Sequence, residues 1–233
     1  VLAIEAKRSL ALDTLGLCKA LAQNQDIKVV FLCNPNNPTG TTVSRDSIIR
    51  VLEAAKDAIV AVDEAYIEFC PQATVVDLIK KYPNLAVIRT LSKAFALAGL
   101  RCGMILAQQN LIAALRKVIA PYPVPEPVAA IAARALSEGG IAAMRQRVEL
   151  IRVNRAYLKK SLTKIPGVRS VYPSQTNFVL FEVDEPEKIY KGLWEKGVAI
   201  REPGSDKGVL RVSVGTIGEC ELFIDKLTEV LQG

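Results

Sequence analysis

The chain has 233 residues, half of them apolar, a formal net charge of +6 and no histidine. This allows one large α/β domain, or a large domain with a small one. It excludes Ser-His-Asp and Cys-His catalysis and histidine-ligated zinc, so any general base must be Lys, Asp, Glu, Tyr or Cys.

No apolar run approaches the ~18 residues that a bilayer crossing needs. The first residue is Val1 and no charged-then-apolar leader precedes it, which reads as a cleaved or partial polypeptide. Cys18, Cys33, Cys70, Cys102 and Cys220 lack metal-type spacing, and several sit in apolar context. They read as reduced thiols of a cytoplasmic protein, with no metal site. Basic residues come as pairs (Lys7-Arg8, Lys80-Lys81, Lys159-Lys160) and as the helical series Arg145, Arg147, Arg152 and Arg155. Without interleaved aromatics these are solvated helix faces, not a nucleic-acid surface. A mildly positive protein also suits small anionic ligands.

In chain order, Val1 to Ile4 reads as the tail of a strand and Asp13 to Gln23 as an amphipathic helix. Lys28 to Cys33 is a continuous apolar run, expected as a strand buried on both faces of a parallel sheet. Asn34-Pro35-Asn36-Asn37-Pro38-Thr39-Gly40 can neither continue a strand nor open a helix, so it forms a rigid loop. Ser44 caps a helix running to about Lys56, with Asp46 in its first turn. Ile59 to Asp63 is the next strand, completing a βαβ unit. Ala73 to Lys81 reads as a helix and Leu85 to Arg89 as the third strand. A further strand, Cys102 to Ala107, is entered through Gly99, Leu100, Arg101 and Gly103.

Leu111 to Ile119 is a short helix, followed by a proline-rich connector, Pro121 to Pro127. Val128 to Leu136 is helical and is interrupted at Gly139-Gly140, and Ile141 to Leu162 is a long amphipathic helix. Beyond Pro166-Gly167 come strands at Val168–Val171, Phe178–Val183, Val198–Arg201 and Val209–Ser213. Helices at Glu187–Lys196 and Glu219–Leu231 accompany them. The expected organisation is a large α/β domain with a mostly parallel sheet over residues 1–125, connecting helices over 126–165, and a C-terminal α+β small domain over 166–233.

Three polar segments leave the carboxyl ends of successive strands: the loop around Asn37, the turn Asp63-Glu64-Ala65-Tyr66, and Thr90-Leu91-Ser92-Lys93. In an open α/β sheet that edge is where ligands bind. A lysine amine flanked by two hydroxyls, with Arg101 eight residues on, suits a phosphorylated aldehyde. The amine condenses to an imine, and the hydroxyls and guanidinium take the phosphate.

Asn34 to Gly40, Asp63 to Tyr66, Ser92-Lys93 through Arg101, and Leu210-Arg211-Val212 resemble the successive signatures of the fold-type I pyridoxal-phosphate-dependent aminotransferases. Within these, Asp63 to Cys70 and Thr90 to Gly103 are similar to the histidinol-phosphate aminotransferases. The resemblance runs essentially from end to end. It implies pyridoxal 5′-phosphate as cofactor and transamination of histidinol phosphate with 2-oxoglutarate, giving glutamate. It implies that Lys93 holds the cofactor aldehyde and then moves the substrate proton, which requires an amine tuned below the ordinary ~10.4. Asp63 would keep the pyridine nitrogen protonated, and Asn37 and Tyr66 would bond the ring hydroxyl. Thr90, Ser92 and Arg101 would take the cofactor phosphate. Arg211 would bind the anionic end of the substrate, with Arg201 as a second phosphate contact.

The family's first strands, its N-terminal arm, its small-residue phosphate loop and its ring-stacking aromatic have no counterpart here. The resemblance therefore makes this chain the larger, C-terminal part of such an enzyme. It implies a homodimer at full length and little or no turnover in the isolated chain. Two other readings stay open: a phospho-amino-acid decarboxylase on the same fold, and an inert fragment or cofactor-binding regulator domain.

Overall fold

The computed structural model describes residues 1–6, 10–202 and 208–232. The Lys7-Arg8 pair and the glycine-containing turn expected between Arg201 and Val209 lie, wholly or mostly, outside the described residues. The chain divides into two compact units, one of residues 1–36 with 41–145, the other of residues 37–40 with 146–233.

The first unit is built on a four-stranded sheet of β1 (Val29–Cys33), β2 (Ile59–Asp63), β3 (Leu85–Thr90) and β4 (Gly103–Ala107), in that order. The first three strands are parallel and β4 is antiparallel. Two helices, α1 (Thr14–Gln23) and α2 (Arg45–Ala54), pack on one face. Side chains alternate across a strand, so Val30, Leu32, Val60, Val62, Leu85 and Val87 meet Leu17, Leu21, Ile48, Val51 and Leu52 in one core. As expected, the Ser44 hydroxyl accepts from the Ser47 amide and starts α2.

The expectation for β1 needs correction. It is buried on one face only, and Phe31 is 75% exposed. β1 is the sheet's edge among the described residues, and Val29 is exposed on the same alternate face; the apolar run by itself could not reveal this. Ala73–Lys81 is also not an α-helix. It forms short 3-10 turns, Pro71–Ala73 and Val76–Lys80, because the Thr74 and Val75 groups bond Glu64 in place of a helical ladder. Val1–Ile4 carries no regular structure. Beyond β4 come α3 (Gln109–Arg116) and α4 (Glu126–Ala135), the latter with proline in its first turn.

The second unit contains most of α5 (Glu138–Leu162). Gly139 and Gly140, expected as an interruption, lie inside its first turn. An antiparallel sheet of β5 (Val168–Val171), β6 (Phe178–Val183) and β7 (Val209–Ser213) follows, with α6 (Pro186–Glu195) and α7 (Ile217–Gln232). Val179, Phe181 and Val183 of β6 pack among Leu158, Leu162, Leu193, Phe223 and Leu227. The predicted strand Val198–Arg201 reduces to a single bridge between Arg201 and Arg211. Helix α7 starts earlier than Glu219 because Thr216 and Glu219 form a reciprocal capping box: the Thr216 amide donates to Glu219 Oε2 at 2.7 Å, and the Glu219 amide to Thr216 Oγ1 at 3.3 Å. Among the described residues no helix is long and apolar enough to cross a membrane, and no cluster of His, Cys, Asp or Glu could hold a metal ion.

Candidate active site

The predicted site residues fall into two groups, one on each unit. On the first unit, Asp63 ends β2 and Thr90 ends the neighbouring strand β3. The parallel register sets Asp63 against Ile88, and alternation puts Asp63, Ile88 and Thr90 on the sheet face away from α1 and α2. Asp63 Oδ1 accepts from the Ala65 amide at 2.9 Å, turning the chain sharply into Tyr66. Tyr66 is buried, and the Lys93 ammonium stands 5.3 Å from the centroid of its ring. Thr90 Oγ1 lies 2.8 Å from Ser92 Oγ and 3.0 Å from the Ser92 amide nitrogen, which donates to it. The hydroxyl pair and the amine are thus held on one short turn after β3, with Lys93 exposed.

Gly99, two residues before Arg101, does not take a left-handed conformation. The left-handed positions are Ala96 (φ 58°) and Arg101 itself (φ 52°). Non-glycine residues in that region are uncommon and recur at functional turns. Arg101 Nη1 donates to the Ala98 carbonyl at 3.1 Å, and its side chain is exposed.

On the second unit, Arg211 Nη1 donates to Asn37 Oδ1. Its guanidinium lies 4.8 Å from the Phe178 ring centroid, and its Nε is buried with no acceptor. The Arg201 and Arg211 backbones exchange two hydrogen bonds, at 2.9 and 2.7 Å, while the Arg201 side chain is exposed. Gly40, at φ +74°, packs so closely that an added Cβ would lie 2.8 Å from Ser174 Oγ.

Two acids shortly after Asp63, Glu64 and Glu68, are given no role by the sequence alone. Glu64 is fully buried and its carboxylate is saturated with donors from Thr74, Val75 and Arg89. Glu68 has Oε2 buried with no hydrogen-bond partner. The signal for Glu64 lay in β3, where Arg89 follows the apolar run of residues 85–88 and needs an anion beside it. Burial pushes the Glu68 carboxyl above its ordinary range and Glu64 adds to this, while its own backbone amide and Arg89 pull it back. The folded chain therefore holds this proton to higher pH than the unfolded chain. Glu68 costs nothing below the unfolded value and destabilises progressively as pH rises through the folded one. Glu68→Gln should gain stability over wild type near pH 8 but not near pH 4. Urea midpoints at the two pH values check this, and an equal offset at both would refute it.

A family model described as aminotransferase class I and II matches residues 2–227. A histidinol-phosphate aminotransferase 1 from Pasteurella multocida is 49% identical over 220 residues, covering 93% of this chain and 63% of that relative. The chain thus spans less than two thirds of that relative's length. The crystal structure of a histidinol-phosphate aminotransferase from Sinorhizobium meliloti in complex with pyridoxal 5′-phosphate superposes with a TM-score of 0.90 at 25% identity, over 99% of this chain and 64% of the other. That of L-threonine-O-3-phosphate decarboxylase from Porphyromonas gingivalis gives 0.78 at 26%, over 88% and 65%. The α/β architecture is that of these fold-type I enzymes.

Proposed function

The chain belongs to the aminotransferase class I and II family, and on that premise we propose that it supplies most of the active site of a pyridoxal-phosphate-dependent enzyme transaminating histidinol phosphate with 2-oxoglutarate. The observation that carries the reading is the turn after β3, where the Lys93 amine projects over Tyr66 beside a bonded pair of hydroxyls.

The residues present fit the cofactor. A phosphate needs hydroxyl and guanidinium donors, which Thr90, Ser92 and Arg101 offer. A ring nitrogen kept protonated needs a carboxylate, and among the described residues nothing donates to the second oxygen of Asp63. When bound, the cofactor supplies an electron sink for the carbanion left at the substrate α-carbon. Lys93 Nζ would bind the cofactor aldehyde and carry the proton taken from that carbon. Tyr66 and Asn37 would donate to the ring hydroxyl. Arg211, by occupying Asn37 Oδ1, leaves the amide NH2 of Asn37 to donate. The orphaned Arg211 Nε suits an anionic substrate group, since a buried donor without an acceptor is costly. Arg201 would add a second contact to the substrate phosphate.

In this reading residues 1–125 form the cofactor-binding domain, 126–165 connecting helices and 166–233 the small domain. The enzyme is a cytoplasmic homodimer. The likeness to the phosphothreonine decarboxylase fold favours a second reading, decarboxylation of a phosphorylated amino acid. The test is to express the chain with whatever flanks it in its reading frame and supply cofactor, histidinol phosphate and 2-oxoglutarate. Glutamate formation is expected. Carbon dioxide from a phosphorylated amino acid, with no glutamate formed, would replace the first reading by the second.

A further inference from the structure

Strand alternation separates two pairs at the ends of β2 and β3. Asp63 and Thr90 lie on one face, and their chain neighbours Glu64 and Arg89 on the other. Glu64 is a carboxylate with no solvent exposure. Arg89 donates to its Oε2 from Nε at 3.0 Å and from Nη2 at 2.8 Å. Thr74 Oγ1 lies within 2.9 Å of both carboxylate oxygens, and the Val75 amide donates to Oε1 at 2.8 Å. Arg89 Nη2 also reaches Thr74 Oγ1 at 2.8 Å, and the Glu64 amide donates to the Ile88 carbonyl at 2.8 Å.

A buried ion pair gives little net stability over well-packed apolar residues of the same volume. What a two-nitrogen, fully bonded pair does provide is fixed geometry. This one spans the two strands at the level where the chain leaves the sheet.

We propose that Glu64 is a positioning residue: by locking Arg89 across the strand ends, it sets the spacing between the Asp63 carboxylate and the Thr90–Lys93 turn on the opposite face. The proposal rests on the roles given above to Asp63 and Lys93. Glu64 lies on the face opposite Asp63, with its carboxylate occupied by Thr74, Val75 and Arg89. It acts through the backbone of its two neighbours.

The test uses Glu64→Gln, with Arg89→Lys as a second variant that keeps the charge and loses the two-nitrogen contact, in the protein expressed from its complete reading frame. Two readouts are taken. The first is amide hydrogen exchange at Ala65 and Ser92, whose amides close the two turns. The second is the pH midpoint of the absorbance band given by pyridoxal 5′-phosphate bound to Lys93. We expect exchange at both amides to quicken by roughly ten-fold in a still-folded protein, and the midpoint to move. If exchange quickens at Val75 alone, or melting falls while the midpoint stays put, Glu64 merely anchors the Thr74–Val75 turn and the proposal is overturned. If Glu64→Gln does not fold, Arg89→Lys decides by the same two readouts. A wild-type protein with no such band would instead overturn the reading of Lys93, a result separable from a band that is present but unmoved.

Discussion

Lys93→Ala should abolish covalent capture of pyridoxal 5′-phosphate and lower turnover by at least roughly 10²–10⁴-fold, the usual range for losing a positioned general base. Two functions vanish together. In the proposed function the amine would be both the nucleophile toward the aldehyde and the group that accepts the α-proton, and no histidine exists anywhere in the chain to take over. Lys93→Arg is the sharper control. It keeps a cation over the Tyr66 ring, but guanidinium stays protonated and cannot act as nucleophile or base. Both variants should bind the cofactor reversibly through Thr90, Ser92 and Arg101. Borohydride treatment followed by peptide mapping reads the outcome. In the unsubstituted protein the label should sit on the peptide holding Lys93 and in neither variant. Label on another lysine, or label retained in Lys93→Ala, would remove Lys93 from its role.

Phe181→Ala should cost about 3–5 kcal/mol of stability in the second unit, the range for truncating a fully buried phenylalanine. Phe181 is wholly enclosed at the middle of β6 and meets Phe223 of α7 edge-on, with centroids 6.0 Å apart and planes at 68°. Removing the ring forfeits its burial, leaves a cavity, and loses an aromatic contact worth about 0.5–1.5 kcal/mol beyond area. Phe181→Leu, which refills part of the space, should lose less. Trp194, the chain's single tryptophan, lies in α6 of the same unit and reports its urea unfolding. A loss below about 1 kcal/mol would mean that the core packs less tightly around this ring than the structure has it.

Both effects trace to residues with very different visibility. Lys93 could be picked out because strand, turn and chemical type coincide within a few residues. Asp63 and Thr90 could be picked out because each ends an apolar run. Such signals are local, and they survive without knowledge of what packs where. Arg211 was placed on its strand in the same way. Its hold on Asn37 was not legible, because 174 residues separate the two. From the sequence Glu64 is only one member of a polar strand-end turn, yet it is the most enclosed charge near the site. Its partners Thr74, Val75 and Arg89 converge on it only once β3 lies beside β2.

The misread elements have the same origin. The Val29–Cys33 run is apolar on both faces, and only the tertiary structure reveals that β1 is an edge strand and that Phe31 is uncovered. Residues 73–81 have helical spacing, but the buried carboxylate of Glu64 outbids the helix for the Thr74 hydroxyl and the Val75 amide. Ala96 and Arg101 take the left-handed conformations that local preference would have given to Gly99.

By itself the order of residues determined the βαβ alternation, the strand-end placement of Asp63, Thr90 and Lys93, and the exclusion of histidine chemistry, because periodicity, caps and composition act over a few residues. The tertiary structure alone decided which faces are covered, which carboxylates are buried and which of them share Arg89. Burial and pairing depend on neighbours brought together from distant parts of the chain, and no local pattern encodes their distance.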